Sequence, residues 1–278
     1  MQSYRVQFMR GVQALPFGSF WVFGLKQAWA ALFGGLMLGA ILLTEVVELP
    51  YLERYDWLFV IAIAIQLFML AARLERPHEV ITIFVFHLVG LGMEVFKTSS
   101  QIGSWHYPGQ AIFHVAAVPL FSGFMYAAVG SYIARAWRVF ELEFRPYPPR
   151  WATVALAIAI YINFFTHHYF YDIRWILFAG VALLYGRTWV RYTINEHTRR
   201  MPLLLGFGLI AIVIWAAENI ATYSHIWLYP SQRLAWHPVG FGKIGSWLLL
   251  MVISFILIDL LHATRRRLAG RAARRVQP

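Results

Sequence analysis

Apolar residues in this chain run in long blocks. They show neither the strict alternation of a half-buried strand nor the one-sided stripe of a surface helix. Eight such stretches stand out, at about residues 28–47, 57–72, 80–96, 111–134, 151–165, 173–189, 202–223 and 239–261. A bilayer core of roughly 30 Å takes about 20 apolar residues in a helix, fewer where flanking side chains snorkel or the bilayer thins. The pattern therefore predicts an all-α fold, a polytopic transmembrane helical bundle of about eight spans. The second and fifth stretches are the shortest, and each is a candidate for a re-entrant or mismatched segment. No linker, low-complexity tract or cleavable leader is visible, so residues 1–278 read as a single transmembrane domain. Residues 1–25, with Phe8, Val12, Leu15, Phe20 and Trp21, read as a cytoplasmic interfacial segment, and 263–278 as a basic cytoplasmic tail.

Composition agrees: 60% of residues are hydrophobic and 13% charged, against roughly 25% charged in soluble domains. The net charge of +11 would point to nucleic acid in a soluble protein. Here the basic residues alternate between loops, and the partner they imply is the lipid bilayer, with no nucleic acid. With an inside N-terminus, the cytoplasmic segments hold 19 of the 24 Lys and Arg, and only Arg54, Lys97, Arg174, Arg233 and Lys243 fall outside. That asymmetry predicts both termini in the cytoplasm. The absence of cysteine excludes disulfides, a thiol nucleophile and thiolate-bound metals.

The chain also reads as an internal repeat. Glu94-Val95-Phe96-Lys97 is followed by Trp105-His106-Tyr107-Pro108, and Glu218-Asn219 by Trp227-Leu228-Tyr229-Pro230. In each copy a helix-end acid precedes a Trp-x-Tyr-Pro loop and another helix. The two acids are 124 positions apart (218 − 94), near half the chain, which predicts parallel four-helix repeats over 28–134 and 151–261. Aromatic residues also enrich membrane interfaces in general, so the repeat rests on their shared order behind an acid.

Ionisable groups inside spans are costly and mark polar interiors or functional sites. Glu94 and Glu218 are the candidate catalytic pair. Trp105, Tyr107, His114, His167, His168, Asp172, Arg174, Asn219, Trp227, Tyr229 and Lys243 are the candidate substrate-binding residues, all placed by the pattern at the outer ends of the helices. Glu94 and Lys97 are also spaced to neutralise each other on one helix face. Glu218 needs a buried partner, for which Arg174, Arg233 and Lys243 are available, and Asp259 is expected to pair with Arg265, Arg266 or Arg267. His167 and His168 are adjacent and point about 100° apart on a helix, so no metal site is expected. No cofactor is implied either, since H-E-x-x-H, G-x-S-x-G and phosphate-loop motifs are missing.

With these residues in hand, the chain resembles the bacterial multi-pass membrane proteins grouped as domain of unknown function 817. The blocks that carry this are Glu94 to Lys97, Gly103-Ser104-Trp105-His106-Tyr107-Pro108, Val118-Pro119-Leu120-Phe121-Ser122-Gly123-Phe124-Met125-Tyr126, Tyr147-Pro148-Pro149-Arg150-Trp151, Asn163-Phe164-Phe165-Thr166-His167-His168, Gly186-Arg187-Thr188-Trp189 and Trp215-Ala216-Ala217-Glu218-Asn219. The resemblance implies a bacterial inner-membrane protein and supplies no activity. A fainter pattern, Glu94, Trp105, Tyr107 and then Val118-Pro119-Leu120, is similar to membrane carotenoid cyclases and hydratases, from which the chain departs in its number of spans and in lacking paired acids after the proline. Three functions follow as expectations. One is a cofactor-free acid-base enzyme acting on an isoprenoid or other lipid-soluble substrate, one a small-molecule transporter or binding protein, and one a non-catalytic subunit of a membrane complex.

Overall fold

A computed structural model describes residues 11–12, 16–195 and 197–276, with side chains described only as far as Arg265 in the last helix. Phe8 and Leu15, and the tail's side chains beyond Arg265, therefore lie outside the description. The helices are α1 (Gly18–Ala30), α2 (Leu32–Val46), α3 (Arg54–Ala71), α4 (Pro77–Thr98), α5 (Ser122–Val139), α6 (Arg150–Thr166), α7 (Arg174–Tyr185), α8 (Leu203–Tyr223) and α9 (Gly242–Val276).

Each expected apolar stretch carries helix, but the helices differ in reach. Arg54–Ala71, Glu79–Thr98, Leu203–Tyr223 and Gly242–Arg265 are long and apolar enough to cross a membrane. α1 and α2 together make a fifth candidate, broken by a 71° bend at Ala31. α6 and α7, of 17 and 12 residues, are shorter apolar helices. Along α8, Leu205, Ile212 and Ile220 are exposed while Gly206, Ala211 and Glu218 are buried. An apolar exterior around a more polar interior is the arrangement a helix adopts in lipid.

Two expectations need correction. The fold is mostly helical but not all-α: β3 (Glu143–Arg145), β4 (Trp189–Ile194) and β5 (His197–Pro202) form an antiparallel sheet in the order β3-β4-β5. Val190 and Ile194 are buried while Trp189 and Arg191 are exposed, the period-two pattern of a strand. Asn195 has φ 55°, as a tight hairpin turn requires. The second correction concerns 111–134, which starts as a hairpin of β1 (His114–Val115) and β2 (Val118–Pro119) and becomes helix only at Ser122. Pro119 disfavours helix at Val118, and Asp56 diverts the backbone by accepting the N–H groups of Ile112 (2.9 Å) and Phe113 (2.8 Å).

α4 and α5 approach closely through glycines. A Cβ on Gly90 would come within 2.5 Å of the Tyr126 ring, and one on Gly123 within 2.5 Å of His87 Nδ1. Small residues let helix backbones come together in this way. α5 and α9 meet beside β3, with Trp137 stacked on Phe255 and edge-on to Phe144. The sheet caps one end of the bundle, where Lys26 of α1 donates to the Val139 and Thr193 carbonyls. The opposite end, where α4 and α8 finish, carries the Trp-x-Tyr-Pro loops. The two are called below the sheet end and the loop end.

Candidate functional site

A cavity of about 1250 Å3 runs between α2, α4, α5, α6, α8 and α9. Its walls are mainly apolar, with residues such as Met37, Ile160, Val213 and Leu250, and its polar groups concentrate at the loop end. Glu94, Trp105, His167, Arg174, Glu218, Trp227, Tyr229 and Lys243 all line it.

Glu94 ends α4 buried in a cage of donors. Trp105 Nε1 (2.7 Å) and Tyr107 OH (2.8 Å) donate to Oε2, and Tyr126 OH (2.7 Å) donates to Oε1. Glu218, in the last turns of α8, has a matching cage, with Tyr229 OH donating to Oε1 and Trp247 Nε1 to Oε2 at 2.7 Å. Each acid thus holds the tyrosine of its own Trp-x-Tyr-Pro loop and one aromatic from the following helix, Tyr126 of α5 or Trp247 of α9. A carboxylate is an acceptor only, so these donors match its lone pairs. The two loops also bond to each other: His106 N donates to the Leu228 carbonyl (3.0 Å) and Leu228 N to that of His106 (2.9 Å). Trp105 meets the Tyr229 ring edge-on at 6.1 Å between centroids.

The cations take different partners from those the spacing proposed. Lys97 turns away from Glu94 and donates to His168 Nε2 (2.7 Å) and His167 Nε2 (3.3 Å), with its ammonium 4.3 Å from the Phe164 ring centroid. Because lysine only donates, both Nε2 atoms accept, which puts the imidazole protons on Nδ1; His167 Nδ1 duly lies 2.8 Å from the Asn163 carbonyl. Partial desolvation, then the Lys97 ammonium and the neighbouring His167, hold His168 down at about 4. Desolvation likewise lowers His167. Lys243 lies over the rings of Tyr229 (4.1 Å) and Trp105 (5.8 Å).

The remaining candidates sit around this core. Asp172 pairs with Arg174 (2.5 Å) and accepts from Asn163. Burial acts to raise its carboxyl, but the bonds from Asn163 and Arg174 outweigh that and hold it below the usual carboxylate range. Asn219 ties the Val239 N–H (2.8 Å) to α8. His114 is exposed on β1, bonded to the Ala116 carbonyl, away from the cavity. Asp259 contacts Arg150 (3.6 Å) and accepts from Tyr147 (3.0 Å). Among the described residues no three His, Asp or Glu gather as a metal site.

Sequence reasoning missed Tyr126, Trp247 and Asp56. The first two follow their acids by 32 and 29 positions, so carrying the repeat past the prolines would have paired them. It also counted Arg135 as a loop charge, whereas its side chain is 1% exposed and donates to the Trp29 (2.5 Å) and Leu74 (3.2 Å) carbonyls. Nearby, Glu75 accepts from Gln66 (2.6 Å) and Ser131 (2.5 Å).

Comparison with known proteins places the chain. A mycobacterial Insig homologue from Mycobacterium vanbaalenii gives a loose structural match, with TM-score 0.49 and 14% identity, over 69% of this chain and 97% of its own. The uncharacterised protein YoaT of Bacillus subtilis (strain 168) is 44% identical over 245 residues, 88% of this chain and 92% of that one. The profile of the protein family of unknown function DUF817 matches residues 19–255, and the chain belongs to that family.

Proposed function

We propose that this protein holds a lipid-soluble small molecule of isoprenoid type in the cavity between its two halves, and that Glu94 and Glu218 act on it by proton transfer. The observation that carries the reading is one cavity of about 1250 Å3, with a long apolar body and both acids in its wall at the loop end. Ligand pockets usually combine apolar walls with a few converging polar groups. Glu94, with three donors, is suited to the base, and Glu218, with two, to the acid. Aromatic side chains of the wall such as Tyr126, Trp227 and Trp247 would stabilise a cation formed on an alkene. The pattern shared with carotenoid cyclases and hydratases supports the same substrate class. Tyr107, Trp227, His167, His168, Asp172, Arg174, Asn219 and Lys243 would bind or position the substrate, and His114 has the weakest support.

The architecture behind this reading is a multi-pass bundle of eight helices in parallel repeats over 28–134 and 151–261, with α1 along the interface. The matched cages of Glu94 and Glu218, and the reciprocal His106–Leu228 bonds, support a pseudo-twofold axis between the loops. The loop end would face outward from a bacterial inner membrane and both termini the cytoplasm, in line with the loop charges. Carriers built from repeats also use such a cavity, but their sites lie near mid-membrane, whereas these polar groups sit at one end. A non-catalytic subunit of a membrane complex would need neither the cavity nor the acids.

The test is the lipid and pigment profile of cells lacking the gene, complemented by wild type, Glu218→Gln or Glu94→Gln. Proton chemistry predicts that wild type restores the profile and neither variant does. Full restoration by both variants would refute it.

A further inference from the structure

Two ammonium groups at the loop end, the buried Lys97 and the half-buried Lys243, form no ion pair among the described residues. Lys97 is 4% exposed, and among the described residues its ammonium is hydrogen-bonded only to the two imidazoles. The Lys243 ammonium makes no hydrogen bond among the described residues; it lies over the Tyr229 and Trp105 rings, within electrostatic reach of Glu218. No carboxylate of the described residues lies within ion-pair distance of either, while Arg174 is matched by Asp172 and Arg54 by Glu45. Glu94 is held by three neutral donors and Glu218 by two, and neither is bonded to a lysine. Lys97 and Lys243 both line the cavity and lie within electrostatic reach of each other. Lys243 stands in the first turn of α9, where the helix end adds positive potential. Charges taken out of water are costly unless paired, and Lys97 and Lys243 both stand at the polar end of an apolar chamber.

We infer that the cavity's ligand is an amphipathic acid, a single long apolar chain ending in a carboxylate or phosphate that docks between Lys97 and Lys243. The inference rests on the reading of the cavity as a ligand site and adds the chemistry of the head group. The chain would lie along the wall of Met37, Ile160, Val213 and Leu250, and the acidic head would take donors from both ammoniums, with Arg174 beside them. Charge-assisted bonds of this kind are the strong ones, so the head group would set the ligand's position in the cavity.

The test uses the full chain in nanodiscs of zwitterionic lipid, titrated with hexadecanoic acid, hexadecyl phosphate and hexadecanol while tryptophan fluorescence is followed, Trp105 lying beside Lys243. The expected result is that one or both acids bind at least about tenfold more tightly than the alcohol, roughly the effect of one charge-assisted bond. Lys243→Met and Lys97→Met should each remove that preference, and Lys243→Arg should keep most of it. The stronger of the two acids identifies the head group. Equal binding of alcohol and acids, or a preference that survives both methionine variants, overturns the inference and leaves the cavity reading standing. If none of the three binds, the cavity reading falls and this inference with it.

Discussion

Replacing Glu94 by glutamine tests whether its cage ties the loop to the bundle. Three donors at 2.7–2.8 Å now meet a carboxylate. An amide keeps an acceptor for Trp105 and Tyr107 but turns an NH2 towards the Tyr126 hydroxyl. Hydrogen bonds to a charged group are worth roughly 1.5–3 kcal/mol and neutral ones roughly 0.5–1.5, so each bond loses about 1 kcal/mol. Helices in a bilayer recover part of any such loss, leaving about 2–3 kcal/mol for the cage. At roughly 2–4 °C per kcal/mol for a chain of this size, Glu94→Gln should lower the melting temperature by about 4–12 °C. The assay is thermal unfolding of the purified protein in mild detergent, and Tyr126→Phe in both backgrounds measures the coupling. A melting point within about 2 °C of wild type, or Glu94 and Tyr126 effects that simply add, would refute the cage.

Other consequences follow from single contacts. Gly90→Val should destabilise by about 1–3 kcal/mol and loosen the loop end as well, because the new side chain displaces the Tyr126 ring; a shift in Trp105 fluorescence checks this. Asp56→Asn should leave one of the Ile112 and Phe113 amides poorly satisfied, at a cost of about 1–2 kcal/mol, and amide exchange should speed up at those two residues. His168 is held at about 4 in the fold against about 6.5 unfolded. Stability should therefore be full above pH 6.5 and decline as pH falls towards 4. Lys97→Met should weaken that decline, which melting curves at pH 7.5 and 5 would show; an unchanged decline counts against the Lys97–His168 contact.

The helices were legible because lipid-facing segments must be apolar all round and long, and that survives as a block pattern in the sequence. Their ends were less so. Residues 111–121 are apolar enough for a span, but Pro119 and the buried carboxylate of Asp56, on another helix, turn them into a hairpin. β4 lay inside what read as a loop because its alternation is only six residues long. Glu94 and Glu218 could be singled out, since an acid in an apolar helix needs a partner. The identity of the partners could not, because charge logic favours Lys and Arg. Neutral phenols and indoles lose less on desolvation than a second ion does, and those are what the fold supplies. The Lys97–imidazole contacts depend on the end of α6 meeting the end of α4, which spacing along the chain does not encode.

The central claim, that the cavity holds a lipid-soluble ligand, is tested most directly by small-molecule mass spectrometry of the protein purified in mild detergent, beside Ala217→Trp, which plugs the cavity from α8. The account predicts one chain-like molecule in near-stoichiometric amount with wild type, and its loss from an Ala217→Trp protein that melts normally. Identical small-molecule content in the two proteins, or an empty wild type carrying a stoichiometric protein partner instead, would contradict it.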